Sequence, residues 1–269
     1  MSIGQGLSQA QKGEQFAALH QSGCFIIPNP WDAGSACLLA GMGYLALATS
    51  SGAAAGVLGR KDGEISRNES IAHSRIVVAA TDLPVAADLE NGFGDAPADA
   101  ALTIRRAAEV GLVGGSIEDA SGINVATGER RIYDFNHAVE RVAAAAEAAH
   151  AQTFPFTFTA RCENFLRGKP DIDDTIRRLQ AYEKSGADVL FAAGLPNIEA
   201  VRLVCQSLSK PFNFMAGIKG KSFSVAELEA AGVRRISLAT SLYRAAMAGM
   251  RAAAVEAKQH GTFGYLDRL

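Results

Sequence analysis

The sequence predicts a (β/α)8 barrel, and three observations carry that expectation. Short apolar runs alternate with longer stretches of helical periodicity, and eight such pairs follow one another across the 269 residues. Glycines stand just before several of the runs, in AGMGY (40–44), EVGL (109–112), KSGAD (184–188) and EAAGV (229–233), where a left-handed residue stops a helix. No GxGxxG follows the first run, so the competing doubly wound open sheet lacks its strongest signal.

Taken in order, residues 8–21 read as an amphipathic helix inside a lead-in segment, 1–22. The pairs then begin with CFII (24–27), a helical stretch at 33–42, and YLALATS (44–50). A helix over 65–80 precedes LPVAAD (83–88), and another over 97–110 precedes LVGGSIED (112–119). The Ala-rich stretch 135–151 leads to PFTFTAR (155–161), and 171–185 leads to DVLFAA (188–193). Helices near 197–208 and over 224–231 flank PFNFMA (211–216), and RRISLA (234–239) runs into a last helix over 241–258. No linker-like or low-complexity segment divides the chain, so residues 1–269 are read as one barrel domain with a C-terminal helix and tail over 240–269.

Composition narrows the function classes. A formal net charge of -2 gives no basic footprint for nucleic acid. No apolar run approaches the ~20 residues that span a bilayer, and the N-terminus has neither a secretion-signal core nor an Arg-rich transit character. Cys24, Cys37, Cys162 and Cys205 form no CxxC pair, which points away from zinc and from a disulfide framework. A cytoplasmic protein with reduced thiols is expected.

In such a barrel, chemistry gathers at the C-terminal ends of the strands. The stretch PVAADLENGFGD (84–95) is the richest of these ends: Asp88 and Glu90 are two apart on a strand and so share a side, and two carboxylates together call for a proton or a cation. Strand 1 ends at Asn29, Trp31 and Asp32, and strand 2 at Thr49, Ser50, Ser51 and Gly52, with Asp62 one loop later. Strand 4 adds Glu118 and Asp119, strand 5 Arg161 and Glu163, and strand 7 Asn213. Carboxylates with no His or Cys beside them suit a hard cation, Mg²⁺ or Mn²⁺. The Ser51 and Gly52 amides suit a substrate carboxylate, and Arg161 suits a carboxylate or enolate oxygen. All five histidines are read as surface or structural groups.

The segments NPWDAGSA (29–36), ATSSGAAA (48–55), ADLENGFGD (87–95), SIEDASG (116–122), FTARCENFL (158–166) and GADVLFAAG (186–194) are similar to the isocitrate lyase/phosphoenolpyruvate mutase superfamily. The resemblance implies an α/β barrel, often a tetramer that exchanges a C-terminal helix between subunits. It also implies Mg²⁺-dependent chemistry on 2-oxo acids or their enolates. By position, it assigns the metal to Asp88, Glu90 and Glu118, the substrate to Arg161, Ser51 and Gly52, and a loop acid to Asp62. Ser50, Trp31 and Asn213 complete the expected substrate contacts, and Arg161, Asp62 and Glu118 are the candidate catalytic groups.

Departures from the family pattern matter as much. The usual Asp-x-Asp is here Asp88-Leu89-Glu90, one methylene longer. The loop DASGINVATGERRI (119–132) lacks the Cys-Gly-His lid of isocitrate-type lyases and the lid lysine of the mutases; Asn124 and Thr127 echo the latter, and Arg130 and Arg131 are a charged pair. No histidine follows strand 6, where the chain reads Phe191-Ala192-Ala193-Gly194. The expected activity is cleavage of a carbon–carbon bond in a small 2-oxo or dicarboxylic acid by a homo-oligomer, dimer or tetramer. Phosphoenolpyruvate mutase or phosphonopyruvate hydrolase chemistry is the first alternative, and a non-catalytic metabolite-binding barrel the second.

Overall fold

The computed structural model describes residues 6–121, 127 and 131–268. Eight parallel strands, in the sheet order β1-β8-β7-β6-β5-β4-β3-β2, make a nearly closed barrel. They are β1 (Phe25–Ile27), β2 (Leu47–Ala48), β3 (Val85–Asp88), β4 (Gly114–Glu118), β5 (Thr157–Cys162), β6 (Val189–Ala192), β7 (Phe212–Met215) and β8 (Arg235–Ser237). The ends of the sheet are stitched together. Ala48 N–H donates to the Pro28 carbonyl at 3.0 Å. The Asn29 side chain donates to Thr49 C=O and accepts from Leu238 N–H, each at 3.0 Å.

A lead-in helix α1 (Gln9–Ala18) precedes the barrel, and α2 (Ala33–Gly41) follows β1. Two helices, α3 (Ser51–Val57) and α4 (Arg67–Ala79), follow β2. Each later strand is followed by one: α5 (Pro97–Glu109), α6 (Phe135–His150), α7 (Ile172–Lys184), α8 (Ile198–Gln206), α9 (Val225–Ala230) and α10 (Ser241–Val255). Side-chain N-caps start many of them, Asp32 on Ser35 N–H at 2.7 Å and Asp171 on Asp174 N–H at 2.9 Å among others.

Against the sequence reading, every strand and helix appears, but the ladders are shorter than the apolar runs. β2 is the extreme case, two residues where seven apolar and small residues suggested more. Its flanks still bond the neighbouring strand, Leu47 N–H to Pro84 C=O and Thr49 N–H to Ala86 C=O, before the chain turns into α3. That helix was not expected from SSGAAAG. It forms because Ser50 caps Ala53 N–H, at 3.5 Å, and because Ala53, Ala54 and Ala55 are buried.

The core fills the space between strands and helices, and α1 closes the N-terminal end of the barrel. Phe16 is fully buried against Ile27, Ala46, Ala86 and Val113. Glycine at position 114 makes this possible, because a Cβ there would stand 2.7 Å from Phe16 Cε1 and 2.9 Å from Thr157 O. Beside the plug, His20 is buried, with Nδ1 2.8 Å from Phe16 C=O and Nε2 3.2 Å from Arg235 Nη1. His73, His137 and His150 bond Trp31 C=O, Asp95 C=O and Asp188, so these helical histidines tie loops and strands down. The four cysteines are free. No described helix is long and apolar enough to cross a membrane.

Candidate active site

Two cavities stack along the barrel axis. The upper one, about 240 Å³, lies at the C-terminal mouth and is lined by Ser50, Ser51, Asp62, Asp88, Glu118, Arg161 and Arg167 together with residues from the β7 and β8 loops and α10. The lower one, about 60 Å³, lies within the strands and shares Ser50, Asp88 and Arg161 with the upper.

Strand register explains the central trio. Glu118 and Arg161 are paired residues of β4 and β5, and Asp88 pairs with Ser116 on β3 and β4. Their side chains therefore rise from three adjacent strands. Arg161 Nη1 stands 3.6 Å from Glu118 Oε2 and 3.8 Å from Asp88 Oδ2, while its Nε donates to Glu163 Oε1 at 2.5 Å. The guanidinium also lies over the Phe191 ring, 4.8 Å from its centroid. Burial works against its charge, but Glu163, Glu118 and Asp88 outweigh that and hold its pKa above the usual arginine value. Arg161 is a permanent cation here.

The metal candidates divide. Asp88 and Glu118 face the mouth cavity, whereas Glu90 is buried and lines neither cavity. β3 ends at Asp88 and Glu90 has φ +49°, so the alternation expected to put Asp88 and Glu90 on one side stops one residue too early. Among the described residues, no three His, Cys, Asp or Glu side chains gather as a metal cage. Two carboxylates on one cavity with no nitrogen or sulfur ligand still fit a Mg²⁺-type ion, which binds through one or two carboxylates and keeps several waters.

The substrate candidates divide too. Ser50, Ser51 and Asp62 line the mouth. Ser51 spends its donors on Asp88 Oδ2, the amide at 3.3 Å and the hydroxyl at 3.0 Å, so it positions the acid rather than standing open to a carboxylate. Gly52 lies in the first turn of α3, where a Cβ would meet Thr240 Oγ1 at 3.0 Å and Asp62 Cγ at 3.4 Å. Asn213 sits one layer down, accepting from Arg235 Nε at 2.7 Å and donating to Ser237 Oγ at 3.2 Å. Trp31 lines neither cavity and packs edge-on to Tyr243 of α10, with centroids 5.7 Å apart.

Asp119, expected at the mouth beside Glu118, lines neither cavity, since neighbours on a strand take opposite faces. It accepts Tyr182 O–H at 2.6 Å, Glu163 N–H at 2.8 Å and Arg178 Nη1 at 3.4 Å, and burial pushes its carboxyl pKa up. The effect is to fix the backbone of Glu163, and through it Arg161. In the loop after β4, Thr127 is an exposed turn residue and Arg131 N–H donates to Ser121 Oγ at 2.9 Å, while Asn124 and Arg130 lie outside the described residues.

Sequence reasoning missed Arg167, Arg235 and Arg244. Arg167 Nη2 lies 3.0 Å from Glu163 Oε2 and 3.5 Å from Glu118 Oε1. Its i,i+4 spacing from Glu163 was a visible signal, because that spacing brings an acid and a base together on a helical turn. Arg244 was hidden inside a segment read only for its apolar face.

Comparisons with known proteins identify the family. The family model for phosphoenolpyruvate phosphomutase matches residues 16–258. A 2-methylisocitrate lyase of Escherichia coli (strain K12) is 29% identical over 248 residues, covering 89% of this chain and 82% of that protein. A 2,3-dimethylmalate lyase of Eubacterium barkeri is 27% identical over 216 residues, covering 77% of this chain and 72% of its own. Among solved structures, a Burkholderia cenocepacia J2315 protein provisionally described as a lyase/mutase superposes with a TM-score of 0.92 at 50% identity, covering 97% of this chain and 92% of that one. The chain belongs to the phosphoenolpyruvate phosphomutase family, within the isocitrate lyase/phosphoenolpyruvate mutase superfamily of lyases and mutases.

Proposed function

We propose that the protein is a Mg²⁺-dependent carbon–carbon lyase that acts on a small 2-oxo or dicarboxylic acid through an enolate. The observation that carries the reading is a permanently charged, only slightly exposed Arg161 facing the same cavity as Asp88 and Glu118. An arginine held in place by a fixed carboxylate stabilises an oxyanion without reorganising when charge develops. Asp88 and Glu118 would hold the divalent ion, Mg²⁺ or Mn²⁺, which supplies Lewis-acid polarisation of the substrate oxygen. Arg161 binds and orients the oxygen on which the charge collects. Glu163 holds Arg161 in place, Ser51 holds Asp88, and Asp62 stands at the rim beside Gly52. The named relatives that cleave methylisocitrate and dimethylmalate favour carbon–carbon over carbon–phosphorus chemistry.

The test is thermal stability with oxalate, a mimic of pyruvate enolate, with and without Mg²⁺. A ligand bound only by the native state raises Tm by mass action. Stabilisation that needs both supports the reading, and an acid panel then identifies the substrate. Phosphate or phosphonate release on that panel would replace it with phosphonate chemistry. No oxalate effect and no turnover would leave a metabolite-binding barrel.

We also propose that α10 packs between subunits. None of its residues is fully buried in the monomer, and Met247, Ala248, Ala252 and Val255 border an open apolar hollow of about 450 Å³. Light scattering showing a monomer at micromolar concentration would refute this.

A further inference from the structure

Two buried carboxylates, Glu118 and Glu163, lie side by side at the ends of β4 and β5, and two guanidiniums enclose them. Arg161 reaches both, with Nε 2.5 Å from Glu163 Oε1 and Nη1 3.6 Å from Glu118 Oε2. Arg167 reaches both from the other oxygens, with Nη2 3.0 Å from Glu163 Oε2 and 3.5 Å from Glu118 Oε1. The four groups close a ring of alternating charge. The ring is electrically neutral, so it tethers Glu118 without adding net charge to the cavity.

Local structure fixes the far side of the ring. Arg167 ends a short 3-10 turn (Asn164–Arg167) after β5, stopped by Gly168 at φ +72°. The Asn164 side-chain amide anchors that turn, donating to Asp174 Oδ2 at 2.9 Å and to Thr175 Oγ1 at 3.2 Å. The two acids are held unequally. Glu163 has the short contacts, whereas Glu118 stands farther from both guanidiniums and lines the mouth cavity with Asp88. Arg167 Nε is buried with no hydrogen-bond acceptor among the described residues. A donor in that state costs stability, which argues against a residue kept only to stabilise Glu163.

We propose that Arg167 is a positioning residue for Glu118: it holds Oε1 while Arg161 faces Oε2, so the carboxylate keeps one orientation toward the cavity. The inference rests on the reading above, in which Asp88 and Glu118 hold the divalent ion. Partners behind a ligating carboxylate fix its direction, and their loss weakens metal binding by about 10–100-fold.

The test is Mn²⁺ binding, read from the EPR signal of the free ion. The sign of the change is decisive. Removing a cation so close to a metal site tightens binding if Arg167 acts only through its charge. Removing a positioning residue loosens it. R167M is expected to raise the Mn²⁺ Kd by roughly tenfold or more. R167K keeps the charge but not the planar fork, and should fall between R167M and the wild-type protein. The same loss should appear when R167M is added to E163Q, because it does not depend on neutralising Glu163. An unchanged or lower Kd in R167M, or a loss that vanishes in the E163Q background, overturns the assignment. R167Q replaces R167M, with the same expectations, if the methionine variant does not fold. E118Q separates this inference from its premise. Mn²⁺ binding that E118Q weakens and R167M does not sinks the positioning role alone. Binding that E118Q leaves unchanged, or no binding by the wild-type protein, removes the metal reading and the positioning role with it.

Discussion

Two arginines stand on barrel strands, Arg161 slightly exposed at the mouth and Arg235 buried, and they are handled in opposite ways. Arg161 at the mouth is surrounded by Glu163, Glu118 and Asp88, which hold its pKa up. Arg235, deeper in the barrel, has only neutral partners: Asn213 Oδ1 at 2.7 Å, Thr159 Oγ1 at 3.0 Å and His20 Nε2 at 3.2 Å. Burial alone lowers its pKa to about 9. The difference separates a charge kept for an incoming anion from a charge kept for architecture. At the mouth, Arg161 Nη1 stands 3.6 Å from Glu118 Oε2 and 3.8 Å from Asp88 Oδ2, and all three side chains line the cavity a substrate would enter. In the interior each of the three Arg235 nitrogens makes a hydrogen bond to a neutral group of the barrel.

Exchanging each arginine for methionine is the largest test of that contrast. R161M removes the oxyanion contact and leaves Glu163, Glu118 and Asp88 with less counter-charge. kcat/KM on the identified substrate should fall by roughly 10³-fold. R235M trades a buried cation for an apolar chain and strips Asn213 and Thr159 of a partner, two effects of opposite sign. It should move Tm by several degrees and kcat/KM by less than tenfold. Equal losses of activity in the two variants would erase the distinction.

The next effect is a pH dependence at the interior end. His20 has its pKa lowered to about 3, first by burial and then by the Arg235 charge, with the Phe16 carbonyl opposing. The unfolded chain protonates this histidine near 6.5 while the folded chain does not. Its contribution is therefore fully present above about pH 6.5 and is lost as pH falls toward 3, on the order of 5 kcal/mol across the window. H20Q keeps a donor for Phe16 C=O and an acceptor for Arg235 but does not titrate. Urea unfolding from pH 7 to pH 4 should show a flatter decline in H20Q than in the wild-type protein. Parallel curves would count against this account.

A smaller effect tests the support behind Arg161. Y182F removes the 2.6 Å hydrogen bond to buried Asp119 and should cost about 1–3 kcal/mol, or several degrees of Tm at this chain length. If Asp119 acts by fixing Glu163, kcat falls a few-fold while KM for the substrate barely moves. A purely structural role would change Tm alone.

The barrel was legible because eight alternations of strand and helix, punctuated by glycine, are a pattern of period and order. The trio Asp88, Glu118 and Arg161 was legible because chemistry at strand C-termini needs only the strand ends. What failed did so for local backbone reasons. Glu90 left the side it was expected to share with Asp88 because its φ is +49°, a conformation that sequence does not announce for glutamate. Asp119 was counted with Glu118 although strand alternation sends neighbours apart, so that error was avoidable. Asn213 was placed one layer too high because the depth of a residue along a tilted strand depends on stagger between strands. Arg244 was invisible for the same reason: it belongs to a helix whose start is brought over the mouth by the Thr240–Ser50 contact, 190 residues apart in sequence.

That contact also sets the smallest test. Gly52 occupies the crowded point where α3, the Asp62 loop and the start of α10 meet, and a methyl group there would press on Thr240 Oγ1 at 3.0 Å and Asp62 Cγ at 3.4 Å. G52A gains up to about 1 kcal/mol of helix propensity, which offsets much of the crowding. Its Tm should therefore stay within about 2 °C of the wild-type value, by the usual conversion for a chain of this size. Displacement of Thr240 disturbs its 3.1 Å contact with Ser50, and Asp62 moves with it on the same cavity wall. KM should then rise a few-fold while kcat holds, because the disturbed groups border the substrate and not the oxygen that Arg161 faces. A fall in kcat with KM unchanged would mean that the β2 side of the mouth takes part in the chemistry as directly as Arg161 does.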